Sequence, residues 1–238
     1  MKLILKERPK SPVVIEGFPG FGLVGTITTE FLIKHLNAKS IGYISSEEIS
    51  PVTTIHEGTI VEPLGIFYDK TTNIVILHAL YGLNGMEWKI ADIIVDLCKQ
   101  LKCKELISLE GIAAPNPEKT NVYFYTNDTS KKKNLSKIGM DQLREGIVMG
   151  VSGAVLLKVK TPLSCIFVES HIGLADSLAA AKIIEVLDKY LGLKVDYAPL
   201  VKTAHEFETK LKTIIEKNKE AMMPTSKKEQ KQQLGYIG

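Results

Sequence analysis

The stretch Pro12–Leu36, PVVIEGFPGFGLVGTITTEFLIKHL, decides the fold. Its first five residues, Pro12–Glu16, are a short apolar run of the kind that makes a buried strand. A glycine-rich turn follows. Leu23–Leu36 then places Val24, Ile27, Phe31 and His35 at spacings of three and four, on one face of a helix. Strand, tight turn and helix in this order open an α/β sheet.

The same alternation continues outward. Ser40–Ile44 reads as the next strand. Leu64–Tyr68 and Asn73–Leu80 flank Asp69-Lys70-Thr71-Thr72 as a hairpin. Asn84, with Glu87 three residues on, has the spacing of a capping box, and Met86, Ile90, Ile93, Leu97 and Leu101 form the apolar stripe of the helix behind it. Leu106–Leu109, Val122–Tyr125 and Ser164–Val168 are strands. Asp176–Leu191, with stripe Ala180, Ile183, Ile184, Leu187 and Leu191, is a helix, and Pro199–Ala221 is another. Strands separated by crossover helices predict a mostly parallel, mixed sheet with helices on both faces, a three-layer α/β/α sandwich. The expected organisation is a single α/β domain over residues 1–221, ending in that last helix, and a flexible tail over 222–238. Met222–Gln233 holds no aromatic and no β-branched aliphatic residue, so it lacks the apolar surface that ordering requires, whereas Leu234–Gly238 turns apolar again.

Composition narrows the function. Of 238 residues, 45% are hydrophobic and 24% charged, which excludes wholesale disorder. The longest uncharged stretches fall short of the ~18 apolar residues of a spanning helix, and Met1–Glu7 has no apolar signal region. Cys98, Cys103 and Cys165 are too few and odd in number for a disulfide framework or a four-cysteine zinc site. The histidines at 35, 56, 78, 171 and 205 show no H-x-x-x-H pairing, so no metal is expected. A reduced, cytoplasmic, soluble protein is the expectation. The net charge is +3, and the lysines and glutamates from Lys217 onward account for all of it. A nucleic-acid binder carries such excess on a folded face, and the only other basic run, Lys131-Lys132-Lys133, reads as a solvated loop.

Two motifs invite an enzymatic reading. Gly20-Phe21-Gly22-Leu23-Val24-Gly25 matches G-x-G-x-x-G between strand and helix, with Glu47 and Glu48 placed to meet a ribose. It makes a nucleotide- or dinucleotide-binding enzyme the alternative function. Against it, Gly17-Phe18-Pro19 separates the strand from Gly20, and two phenylalanine rings stand where phosphates would lie. The other reading of the turn is close helix–sheet packing. Glu169, Ser170, His171 and Asp176 follow a strand end, where open α/β sheets place ligands. Neighbours this close do not easily form a relay, and the competing reading is that Asp176 caps the next helix. No catalytic residue is therefore assigned; Glu169 or His171 as base, with Asp176, are the candidates if the chain is an enzyme. In the last helix, Leu200, Ala204, Phe207, Leu211, Ile214 and Asn218 form a short heptad seam, suited to packing on the body or on another subunit.

Four segments taken together resemble the proteasome assembly chaperone family of archaea and bacteria, and within it the archaeal PbaA and PbaB type. They are Glu16–Gly25; Gly111–Pro117 with Val122–Asn127; Gly146–Leu157; and Phe167–His171 leading into Asp176–Ala181. The resemblance implies an α/β/α sandwich similar to nucleoside phosphorylases and no cofactor. It also implies an ATP-independent chaperone that self-associates and binds proteasome α subunits. It further suggests an anchoring tail, as in several partners of the proteasome, where a C-terminal hydrophobic–tyrosine–any-residue motif inserts between α subunits. Here Leu234, Tyr236, Ile237 and the carboxylate of Gly238 supply that chemistry with Tyr236 third from the end instead of second. Phe18, Phe21, Phe207 and Leu211 are the candidates for an interface between copies, since monomers seldom display aromatic residues in patches.

Overall fold

A computed structural model describes residues 1–49, 53–56, 58–82, 84–113, 120–170, 175–196 and 213. The helix expected over Pro199–Ala221, with Phe207 and Leu211, and the tail with Leu234, Tyr236, Ile237 and Gly238 lie outside the described residues, as does His171.

In chain order the elements are β1 (Lys2–Leu5), β2 (Val13–Gly17), α1 (Val24–His35), β3 (Lys39–Ser45), β4 (Thr54–His56), β5 (Thr59–Val61), β6 (Leu64–Asp69), β7 (Ile74–Ala79) and α2 (Glu87–Leu101). They continue with β8 (Glu105–Ala113), β9 (Val122–Thr126), α3 (Thr129–Lys137), β10 (Asp141–Gln142), α4 (Gly150–Lys158), β11 (Leu163–Ser170) and α5 (Ser177–Leu191). Nine strands form one sheet in the order β1-β3-β6-β7-β2-β8-β11-β9-β10, and β4 and β5 pair with each other. The central strands β7, β2, β8 and β11 run parallel, while β1, β3 and β6 on one flank and β9 on the other add antiparallel pairings.

Side chains alternate across each strand, so the sheet feeds two separate cores. Val14, Leu77, Leu106 and Phe167 face α2 and α4, where Ile90, Leu97 and Val155 meet them. Ile15, Ile76, Ile107 and Ile166 face α1 and α5, where Ile27, Ile183 and Leu187 meet them. The three-layer α/β/α sandwich is therefore observed. Burying both faces is what lets the central strands be apolar throughout.

The hairpin forms as expected: Asp69 accepts hydrogen bonds from the backbone N–H groups of Thr71 and Thr72, which sets the turn between β6 and β7. Two local expectations are corrected. Helix α2 begins at Glu87 with Met86 as N-cap and no side-chain cap, and the Glu87 carboxylate accepts from Gly85 N–H, so the Asn84 capping box is not made. Lys131–Lys133 are not a loop but part of α3, which Asp128 caps by accepting from Ser130 and Lys131 N–H. Lys131 turns inward to ion-pair at 2.7 Å with buried Glu105, whose carboxylate also accepts from Ser164 and Tyr190.

Candidate functional site

The glycine turn sits over the ends of β8 and β11, and its geometry follows from what it touches. Gly22 has φ +63°, a left-handed conformation that favours glycine. A Cβ there would fall 1.9 Å from Ser170 Oγ. Ser170 in turn donates to Asp176 Oδ2 at 3.1 Å, and Asp176 N–H donates to the Gly22 carbonyl at 2.9 Å. Asp176 also accepts from Ala179 N–H and so caps α5. Gly20 lies against Glu110, where an added Cβ would stand 2.0 Å from Oε1. Turn, strand ends and the start of α5 are thus locked together by close packing.

This arrangement does not assemble a phosphate cradle. Gly20 lies against the Glu110 carboxyl group, and Gly22 lies against the Ser170 side chain and Asp176 Cβ, so side chains fill the space a phosphate would take. Strand β3, which leads into Glu47 and Glu48, is separated from β2 by β6 and β7, about 14 Å away at the usual strand spacing. Glu48 instead ion-pairs with Lys89. Glu169 accepts from Asn121 N–H, Asn121 Nδ2 and the Tyr123 hydroxyl, tying the β11 end to β9. Glu169 and Asp176 therefore have structural partners, and among the described residues no group of three His, Cys, Asp or Glu side chains is placed to hold a metal ion. Of the aromatic pair proposed for an interface, Phe18 is only 5% exposed and packs in the α2/α4 core, whereas Phe21 is 37% exposed.

Beneath the turn lies a polar group that no sequence motif marks. Glu16 on β2, Ser108 and Glu110 on β8, and Ser152 on α4 occupy the α2/α4 side of the sheet. Ser108 donates to Ser152 Oγ at 3.1 Å, and Ser152 donates to Glu110 Oε2 at 2.9 Å. Both carboxyl oxygens of Glu16 are buried, and no described residue makes a geometrically sound hydrogen bond to them. Burial pushes the Glu16 carboxyl up to about 8; the nearby Ser108 hydroxyl partly opposes this and the Glu110 charge adds to it. Burial likewise raises Glu110 to about 7, against the Ser152 and Gly111 donors. Both strands carry the same signal, an apolar run closed by Glu-Gly (VVIEG and LISLEG), which pattern reading has in view.

On the opposite face, α1 is pinned to β7. Thr26 Oγ1 donates to the Ala79 carbonyl, Thr29 Oγ1 and His78 Nδ1 are 2.8 Å apart, and His78 Nε2 stands 3.3 Å from Glu30 Oε2. Burial alone would raise the Glu30 carboxyl, but His78 and Lys34 outweigh it and hold it near 2.

Fold and site together define a three-layer α/β/α protein whose strand ends are closed by side-chain packing and a buried, protonatable seam. The PAC2 family model matches residues 14–215, and the chain belongs to the PAC2 family. An uncharacterized protein of Methanocaldococcus jannaschii is 32% identical over 237 residues, covering 96% of each chain. The crystal structure of Pyrococcus furiosus PbaA, an archaeal homolog of proteasome-assembly chaperone, superposes with a TM-score of 0.85 at 32% identity, covering 93% of this chain and 99% of that one. Pyrococcus furiosus PbaB, an archaeal proteasome activator, shares the fold at TM-score 0.74 and 22% identity, over 90% of this chain and 98% of that one. Among the described residues no helix is long and apolar enough to cross a membrane.

Proposed function

We propose that the protein is an ATP-independent, non-enzymatic proteasome assembly chaperone of the cytoplasm, which binds proteasome α subunits through its body and C-terminal tails. The observation that carries this reading is the full-length likeness to PbaA, at 32% identity. The charge distribution supports it: the segment from Lys217 holds the whole net charge of +3 and ends in Leu234, Tyr236 and Ile237. Residues 222–233 act as a tether, and a dozen disordered residues span about 20 Å, enough to reach past the body's own footprint. Tyr236 anchors the tip, because a ring with a hydroxyl fills a pocket and still meets a polar partner at its rim. The functional unit is a homo-oligomer held through Phe21 and the Phe207 and Leu211 seam, with several tails acting together. Light scattering at micromolar concentration reports its mass, and a monomer would remove the oligomer from the proposal.

Deleting Leu234–Gly238, or Tyr236→Ala, is expected to weaken α-subunit binding sharply while melting temperature and oligomer mass stay unchanged. Equal binding by the truncated chain would move recognition to the body. The nucleotide-enzyme reading gains no support from a turn whose space is filled by Glu110 and Ser170.

A further inference from the structure

The seam of Glu16, Ser108, Ser152 and Glu110 has no part in the function proposed above; there α4 meets the central sheet beside one fully buried acid, Glu16, and one partly buried acid, Glu110. Among the described residues, helix α4 hydrogen-bonds to the sheet through Ser152, by way of Ser108 and Glu110, while Val151, Ala154 and Val155 supply its apolar contact. Its N-terminus is weakly fixed. Met149 provides no side-chain cap, Gly150 follows at φ +70°, and residues 144–147 are exposed.

We propose that this seam is a proton-operated latch: α4 stays docked on β8 while Glu16 and Glu110 share protons, and loss of those protons releases it.

Among the described residues, no side chain facing the pair offers a charge to neutralise it. On this face β7 contributes only Val75, Leu77 and Ala79, with Tyr81 just beyond its end. Strand β11 contributes Cys165 and, further on, Glu169, whose carboxylate is taken by Asn121 and Tyr123. Helix α2 contributes Cys98, next to Cys103, and both thiols are buried. The only cation on α4, Lys158, is bound to Asp92 and to the Trp88 carbonyl. Among the described residues, no cation pairs with Glu16 or Glu110. An ionised carboxylate in such a place is strongly disfavoured, and two adjacent ones more so. Movement of α4 would admit water and return both groups toward the ordinary value of 4.5, from about 8 and about 7. The docked form therefore binds more protons than the open one. Docking is favoured at low pH and weakens as pH rises toward about 8.

Amide hydrogen exchange on the full chain tests this, comparing α4 (Gly150–Lys158) with α5 (Ser177–Leu191) at pH 6 and pH 9 after correction for intrinsic exchange. Protection of α4 relative to α5 is expected to fall about tenfold or more across that range. Glu110→Gln and Glu16→Gln, neutral and nearly isosteric, should each remove much of the fall. Should Glu16→Gln not fold, the wild-type ratio and Glu110→Gln decide. A wild-type ratio constant within about twofold, or a fall that persists in the folded variants, would overturn the latch.

Discussion

Replacing Gly22 by alanine separates packing from ligand binding as the purpose of the glycine turn. The new methyl group would stand 1.9 Å from Ser170 Oγ, 3.0 Å from Ser170 Cβ and 3.1 Å from Asp176 Cβ. Ser170 cannot simply rotate away, because its hydroxyl is bonded to Asp176, which caps α5 and holds the Gly22 carbonyl. Left-handed backbone at an alanine costs about 1–2 kcal/mol, and overpacking costs about 1–3 kcal/mol. The sum, about 2–5 kcal/mol, corresponds to a loss of roughly 5–15 °C in Tm for a domain of this size. Urea unfolding followed by circular dichroism measures it. The severe clash is with Ser170 Oγ, and the contacts to Ser170 Cβ and Asp176 Cβ are tight but milder, so Ser170→Ala should rescue in large part. Alone, that change removes one hydrogen bond, worth about 1 kcal/mol. Combined with Gly22→Ala it should recover most of the overpacking cost, leaving the backbone strain and a coupling energy of about 1–3 kcal/mol. A Gly22→Ala cost below about 1 kcal/mol, or strict additivity in the double variant, would refute the packing argument.

Other consequences follow from the buried charges. Glu105→Ala strips Lys131, Tyr190 and Ser164 of their shared acceptor and should destabilise the fold by about 3–5 kcal/mol, read as a drop in the urea midpoint. Glu30 lies below its ordinary value, so its stabilising contribution is complete above about pH 4.5 and is lost as pH falls toward about 2. The loss amounts to about 3 kcal/mol at most, and Glu30→Gln should flatten this acid limb of the stability profile. An unchanged limb would mean that another carboxylate controls acid unfolding.

Much of the architecture is legible in the sequence because single segments carry their own evidence. Pro12–Glu16, the Asp69 turn and α5 with its Asp176 cap each announce type and boundary locally, and the α2 stripe around Ile90 and Leu97 announces its type though not its start. The elements that escape are those whose pattern is set by distant partners. Helix α3 shows one buried apolar residue, Leu135, and its lysine triplet reads as solvated because Glu105, the partner of Lys131, is 26 positions away. Helix α4 hides behind Gly150 and Gly153, which blur the period of its apolar face. Strand β1 is a four-residue edge strand with charged flanks. The acid seam is half visible: Glu16-Gly17 and Glu110-Gly111 end two apolar runs alike, but only the adjacency of β2 and β8 brings the carboxyl groups into one layer. The G-x-G-x-x-G turn misleads for the converse reason. Its spacing is local, and the side chains that fill its space, Glu110 and Ser170, come from the distant strands β8 and β11.

The chaperone role is tested most directly by the native mass of the full chain mixed with proteasome α subunits, with and without ATP. The chaperone reading predicts a complex of defined stoichiometry that forms without nucleotide. Separate masses for chain and α subunits at micromolar concentration, together with a nucleotide-induced rise in the chain's Tm, would contradict it.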